Sequence, residues 1–189
     1  GWAYRPQFAQ WMDAYDGDSV YMAHHTNAGG GTGTRSYLHE SASAASAALR
    51  DAIHDELVND IKAGWNANWS HYKKSGNYGE NSQSNLGSVP GFLMETLFHD
   101  SSSDTAAYRD PRFRDLMGRA FAQGFIRYFA QRDGVTLTYP PEPPTHLRVL
   151  HLGSGRVQVS WQAPPSNTGN GLLGDPATGY RVFRSTDGR

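Results

Sequence analysis

The sequence predicts a mixed α/β domain, an open mixed or parallel sheet flanked by helices, followed by a short all-β segment. Three observations carry this. Residues 19–25 (SVYMAHH) and 88–98 (SVPGFLMETLF) are apolar runs of strand length, rich in β-branched and aromatic residues. Two longer stretches repeat apolar residues at three- and four-residue steps, as a helix face does. The run Tyr139-Pro140-Pro141-Glu142-Pro143-Pro144 then divides these elements from a tail with strict β alternation.

Residues 8–15 read as the end of a helix, and 19–25 as a short, well-buried strand ending in His24 and His25. A glycine-rich loop follows (GGGTGT, 29–34), then a further strand over 35–39. Ser41 and Ser43 open a long helix whose face is Ala45, Ala48, Leu49, Ala52, Ile53, Leu57 and Ile61. Residues 66–88 are polar and rich in Asn, Ser and Gly. They read as a long irregular surface segment, and loops of that length commonly carry function. After the strand over 88–98, Asp110 caps a helix with Pro111 in its first turn and an apolar face running from Phe113 to Phe129. The tail alternates at Leu147 and Val149, at 157–161, and at 180–183. The expected organisation is a first domain over 1–138, a proline-rich linker over 139–144 and a β module over 145–189.

Composition narrows the chemistry. Hydrophobic residues make up 38% and aromatics 12% of 189 residues, enough for a packed core. The formal charge of −1 supplies no basic excess to drive nucleic-acid or membrane-surface binding. No run approaches the length of an apolar membrane span. There is no cysteine, so any metal must be held by histidine, carboxylate or water.

His25 and Glu95 stand out. Each ends or interrupts an apolar strand, and functional residues of open α/β sheets lie at the carboxyl ends of strands. A glutamate in such a strand has a raised pKa unless a cation compensates, which is how a general base is tuned. Two plainer readings stand beside these. A lone histidine after a strand is commonly a hydrogen-bonded structural residue, and Glu95 by itself also fits a strand-end carboxylate facing solvent. His24 and His25 are strand neighbours and point to opposite faces, so they do not form a ligand pair. His39, His54, His71 and His99 read as surface or capping residues. The glycine loop lacks the spacing and the lysine of a phosphate cradle.

His25-Thr26-Asn27-Ala28 after an apolar strand, with a glycine-rich loop and a Ser/Ala-rich helix behind it, resembles the zinc-dependent N-acetylmuramoyl-L-alanine amidases of bacterial cell-wall turnover, the amidase-3 type. Val89-Pro90-Gly91-Phe92-Leu93-Met94-Glu95 resembles that family's second apolar strand, and 124–129 its closing helix; Arg5 with Phe8-Ala9 is similar to its arginine-led first helix. The resemblance covers about residues 1–131. It implies His25 as a zinc ligand, Glu95 as the catalytic carboxylate and Zn2+ as cofactor. Asn27, Tyr72, Asn77 and Tyr78 are candidates for contact with substrate. Ala23 and Ser19 depart from the family's usual Ser and Asp. The family's other two zinc ligands, an earlier histidine and an earlier glutamate, have no counterpart here and are expected before Gly1. The chain by itself is then expected to bind zinc weakly or not at all, and to be inactive.

The tail resembles the first three strands of a fibronectin type III module, with Trp161 as the buried strand-B tryptophan and Tyr180 as a strand-C aromatic. The implied function is hydrolysis of the amide between N-acetylmuramic acid and L-alanine of peptidoglycan, outside the cell or in its envelope, with peptidoglycan as the partner and neither nucleic acid nor membrane insertion. The competing reading is a non-catalytic peptidoglycan or glycan binder of the same fold, using Trp65, Trp69, Tyr72 and Tyr78.

Overall fold

The structure, a computed structural model, describes residues 2–166 and 172–185. The chain divides into two compact units, Gly1–Leu137 and Thr138–Arg189.

The first unit is built on a four-stranded mixed sheet. Its strands are β1 (Tyr21–Asn27), β2 (Thr34–Leu38), β3 (His71–Ser75) and β4 (Gly91–Phe98), in the order β1-β4-β2-β3. β4 is parallel to β1 and antiparallel to β2, and β2 is parallel to β3. The central place of β4 explains its near-continuous apolar sequence: seven of its eight residues are buried, and the exception is Glu95.

Helices α1 (Tyr4–Asp16), α2 (Ala44–Gly64), α3 (Gln83–Leu86), α4 (Ser102–Arg109) and α5 (Pro111–Asp133) complete the unit. Their ends follow from the residues that satisfy the free N–H groups. Ser43 Oγ accepts from Ser46 N–H at α2, and Asp110 accepts from Arg112 N–H at α5, where Pro111 occupies the first turn. The core lies where α2 and α5 cover the sheet. Leu49, Ile53, Leu57 and Ile61 of α2 meet Phe113, Met117 and Ala120 of α5 over Phe92 and Met94 of β4. The helices cross closely at Gly124, where an added Cβ would stand 2.7 Å from Ile53 Cα.

Several expectations need correction. Residues 66–88 are not irregular throughout, for they contain β3 and α3. β3 escapes notice because its five residues, His71-Tyr72-Lys73-Lys74-Ser75, are polar and four of them exposed, as suits an edge strand. α4 is likewise absent from the apolar pattern, being short and polar. His54 is fully buried, not at the surface. Trp69 is buried in the core, where it is not free to stack on a ligand, and Trp65 packs partly buried against it, their rings 5.5 and 5.3 Å from that of Phe113. Among the described residues, no helix is long and apolar enough to cross a membrane.

The second unit holds one antiparallel pair, β5 (Thr145–Gly153) and β6 (Arg156–Gln162). Residues 180–183, expected as a third strand, are not in a strand, although the Tyr180 ring lies 5.2 Å from that of Trp161. Within this unit the proline run is hydrogen-bonded to a later segment: Tyr139 N–H donates to Asp175 Oδ2 at 2.7 Å and Gly174 N–H to Glu142 Oε1 at 3.2 Å. The expected module also takes in 167–171 and 186–189, which lie outside the described residues.

Candidate active site

Strand register brings the two principal candidates together. His25 of β1 and Glu95 of β4 are direct partners across the parallel pair, and Arg35 of β2 is the partner of Glu95 on its other side. Directly opposed residues share a face of the sheet. His24 therefore projects to the other face, where its Nε2 lies 2.7 Å from Thr96 Oγ1 and its ring meets Phe121 edge-on.

On the His25 face lies a cavity of about 590 Å³, lined by His25, Asn27, Leu93 and Glu95, by the segment Asn77–Glu80, and by Trp2 and His99. Asn27, Asn77 and Tyr78 thus join the same cavity as His25 and Glu95. Tyr72 does not line it; its ring stacks under the Arg35 guanidinium at 4.5 Å. His99, expected at the surface, is exposed but lines the cavity, its Nδ1 3.1 Å from Thr26 Oγ1.

The loop between β1 and β2 is held by two aspartates. Asp100 accepts N–H bonds from Gly29 at 2.7 Å and Gly30 at 2.9 Å, and these bonds draw its pKa below the usual carboxylate range. Buried Asp104 accepts from Gly33 N–H at 2.7 Å and Phe98 N–H at 3.0 Å, pinning the loop to the end of β4. Gly33 must be glycine: its φ is +79° and a Cβ would lie 1.9 Å from Ser70 O. The glycines thus make a loop of backbone donors tied down by carboxylates.

Burial raises the pKa of Glu95, opposed by the nearby positive charges of His25 and Arg35. A carboxylate tuned upward in a cavity has the properties of a general base.

A second carboxylate reaches His25. Glu80, almost wholly buried, places Oε2 2.5 Å from His25 Nε2, while its Oε1 accepts from Arg5 Nη1 at 2.8 Å. Nothing in the sequence around Gly79-Glu80-Asn81 announces this, apart from the length of the polar segment that contains it. The zinc implied by the resemblance can be tested against these donors. An imidazole nitrogen and a carboxylate oxygen are the right kinds. Both atoms are buried without a hydrogen-bond partner. In number they fall short, since among the described residues no three His, Cys, Asp or Glu form a group that could hold an ion.

The fold and the site define an α/β domain with a strand-end cavity that combines His25 with the carboxylates of Glu80 and Glu95, the latter flanked by Arg35. Solved structures that it resembles include two N-acetylmuramoyl-L-alanine amidases: that of Clostridium difficile 630, with a TM-score of 0.53 at 17% identity over 67% of this chain and 66% of that one, and AmiC2 of Nostoc punctiforme, with 0.51 at 16% over 63% and 62%. The first unit therefore has the open-sheet fold of these amidases. By sequence, the chain is 26% identical over 113 residues to N-acetylmuramoyl-L-alanine amidase CwlM of Bacillus licheniformis and to the sporulation-specific N-acetylmuramoyl-L-alanine amidase of Bacillus subtilis. Each match takes in 60% of this chain, which spans about two fifths of the length of these relatives (42% and 41%). No protein-family model matches the chain.

Proposed function

We propose that this chain carries part of the catalytic centre of a cell-wall hydrolase that cleaves the amide between N-acetylmuramic acid and L-alanine of peptidoglycan, outside the cell or in its envelope. The observation that carries the reading is the His25–Glu95 pairing at one end of the sheet, in a cavity, within a fold shared with amidases. Glu95 takes the proton of the attacking water and returns it to the leaving amine. Burial raises its pKa, which strengthens it as a base, while the charges of His25 and Arg35 oppose the rise and favour its ionised form. Asn27, Asn77 and Tyr78 offer polar and aromatic contacts to a glycan or stem peptide in the cavity. A divalent ion such as zinc would be held in part by His25 and would supply Lewis-acid polarisation of the carbonyl and an acidified water. The two-stranded ribbon of the second unit serves as an appendage of the fibronectin type III kind.

The test is release of stem peptide from purified peptidoglycan by the chain extended at its N-terminus. Glu95→Gln lowers release by about 10²- to 10⁴-fold, the usual worth of a general base, with the fold intact by circular dichroism. Full activity in Glu95→Gln overturns the assignment of the base. The non-catalytic alternative loses support because Trp69, one of its four aromatics, is buried in the core.

A further inference from the structure

We infer that Arg35 is a specificity-determining residue of this site, its guanidinium binding a carboxylate of the stem peptide beside Glu95. The inference deepens the hydrolase reading and rests on it for the choice of a peptide as the ligand.

Register places Arg35 in the same row as the principal candidates. His25, Glu95, Arg35 and Tyr72 are successive partners across β1, β4, β2 and β3, so all four leave one face of the sheet. The next row on that face runs through Leu93, Tyr37 and Lys74, and so brings a second cation beside Tyr72. The Arg35 guanidinium lies 4.5 Å from the centre of the Tyr72 ring and 5.3 Å from that of Phe98, and Lys74 Nζ lies 5.9 Å from the Tyr72 ring. The two aromatic rings hold the Arg35 fork in position before any ligand arrives.

What the fork lacks is an anion. A guanidinium is always charged and carries five N–H donors. Among the described residues, Arg35 makes one side-chain hydrogen bond, from Nη1 to Thr34 O at 2.9 Å, and no ion pair, even with Glu95 as its strand partner. Arg5, Arg127 and Arg132, in contrast, are each paired with a carboxylate. A half-buried guanidinium with Nε and Nη2 donors open suits a carboxylate bound through two parallel hydrogen bonds. Sugar hydroxyls and amides are neutral and gain less from such a partner. The spacing suits a peptide. Neighbouring strands lie about 4.8 Å apart, so the Arg35 backbone stands about 10 Å along the row from that of His25. An extended peptide advances about 3.4 Å per residue. A carboxylate two or three residues beyond the scissile amide therefore reaches Arg35 while that amide lies by His25 and Glu95.

The experiment gives the chain, extended at its N-terminus, two soluble muramoyl peptides, one with its carboxylates free and one with all of them amidated. Wild type shows a KM about 10- to 100-fold lower for the acid form. Arg35→Met removes most of that preference by raising KM for the acid form alone. A role confined to the proton affinity of Glu95, or to packing on Tyr72, changes both substrates alike and leaves the ratio where it was. Arg35→Lys keeps the charge without the planar fork, retains only part of the preference, and serves if Arg35→Met fails to fold. Equal KM values for the two forms in wild type, or a preference unchanged in both variants, overturns the assignment. Calorimetric titration of the same chain with stem peptide, acid or amidated, separates this from the hydrolase reading. Arg35-dependent binding of the acid form without any release of peptide leaves the subsite standing and ends the hydrolase. Release with no preference for the acid form does the reverse.

Discussion

His25 and Glu95 occupy facing positions on neighbouring parallel strands, so their side chains leave the same face of the sheet at one end. The relationship is set by hydrogen-bond register, and a slip of one residue on either strand would send one of them to the opposite face. Arg35 completes the row on the next strand.

The charge of Arg35 opposes the burial that raises the Glu95 pKa. Arg35→Met removes that charge while keeping much of the stem over Tyr72. With Glu95 as the base, its pKa rises further and the acid limb of kcat/KM moves to higher pH, by up to about 1 unit. A pH profile of stem-peptide release measures it. A limb that stays put, or moves to lower pH, excludes Glu95 as the group responsible.

His54 is fully buried in a chain of polar contacts that begins at Lys62. The Lys62 ammonium can only donate, here to His71 Nε2 at 3.0 Å. His71 Nδ1–H then donates to His54 Nε2 at 3.2 Å, and His54 Nδ1–H to Ser36 Oγ at 2.9 Å. His54→Phe takes this partner from both His71 Nδ1–H and Ser36 Oγ and costs about 1–3 kcal/mol at neutral pH. Burial, then the charge of Lys73, lowers the His54 pKa from 6.5 to about 4. Its contribution is therefore complete above pH 6.5 and is lost as pH falls toward 4. Urea unfolding of both proteins across that window shows an acid loss in wild type that is shallower in the variant.

Asp60 is buried with Oδ2 unpartnered, and burial, then the charge of Glu56, lifts its pKa from 3.8 to about 7. A carboxyl that holds its proton more tightly when folded favours the fold most below pH 3.8, and that advantage fades as pH rises to about 7. Asp60→Asn removes the burden of ionisation and raises the melting temperature at pH 8, with the gain vanishing toward pH 4. Thermal melts at both pH values decide it; a gain present only in acid contradicts the assignment.

Gly33→Ala meets both a left-handed backbone and the Ser70 carbonyl. It lowers stability by about 2–4 kcal/mol, measured by denaturant unfolding. A neutral effect would mean that the loop does not hold this course between β1 and β2.

Much of the first unit was legible because its elements announce themselves locally. Asp110-Pro111 marks the start of α5, Ser43 that of α2, and the apolar runs mark β1 and β4. β3 was not legible, since an exposed edge strand carries no hydrophobic alternation. His54 was misread for a related reason: on a helix sequence, a histidine that closes a buried polar chain looks the same as one on the surface.

The sequence by itself singled out His25 and Glu95 as polar residues that end or interrupt apolar strands, since strand character and alternation within a strand are local properties; their meeting on one face needed the register of β1 against β4. Only the tertiary structure decided what meets them. Arg35 arrives through the antiparallel pairing of β2 with β4, and Glu80 from a segment with no periodicity. Such contacts depend on how the chain folds back over long separations, which no local pattern encodes.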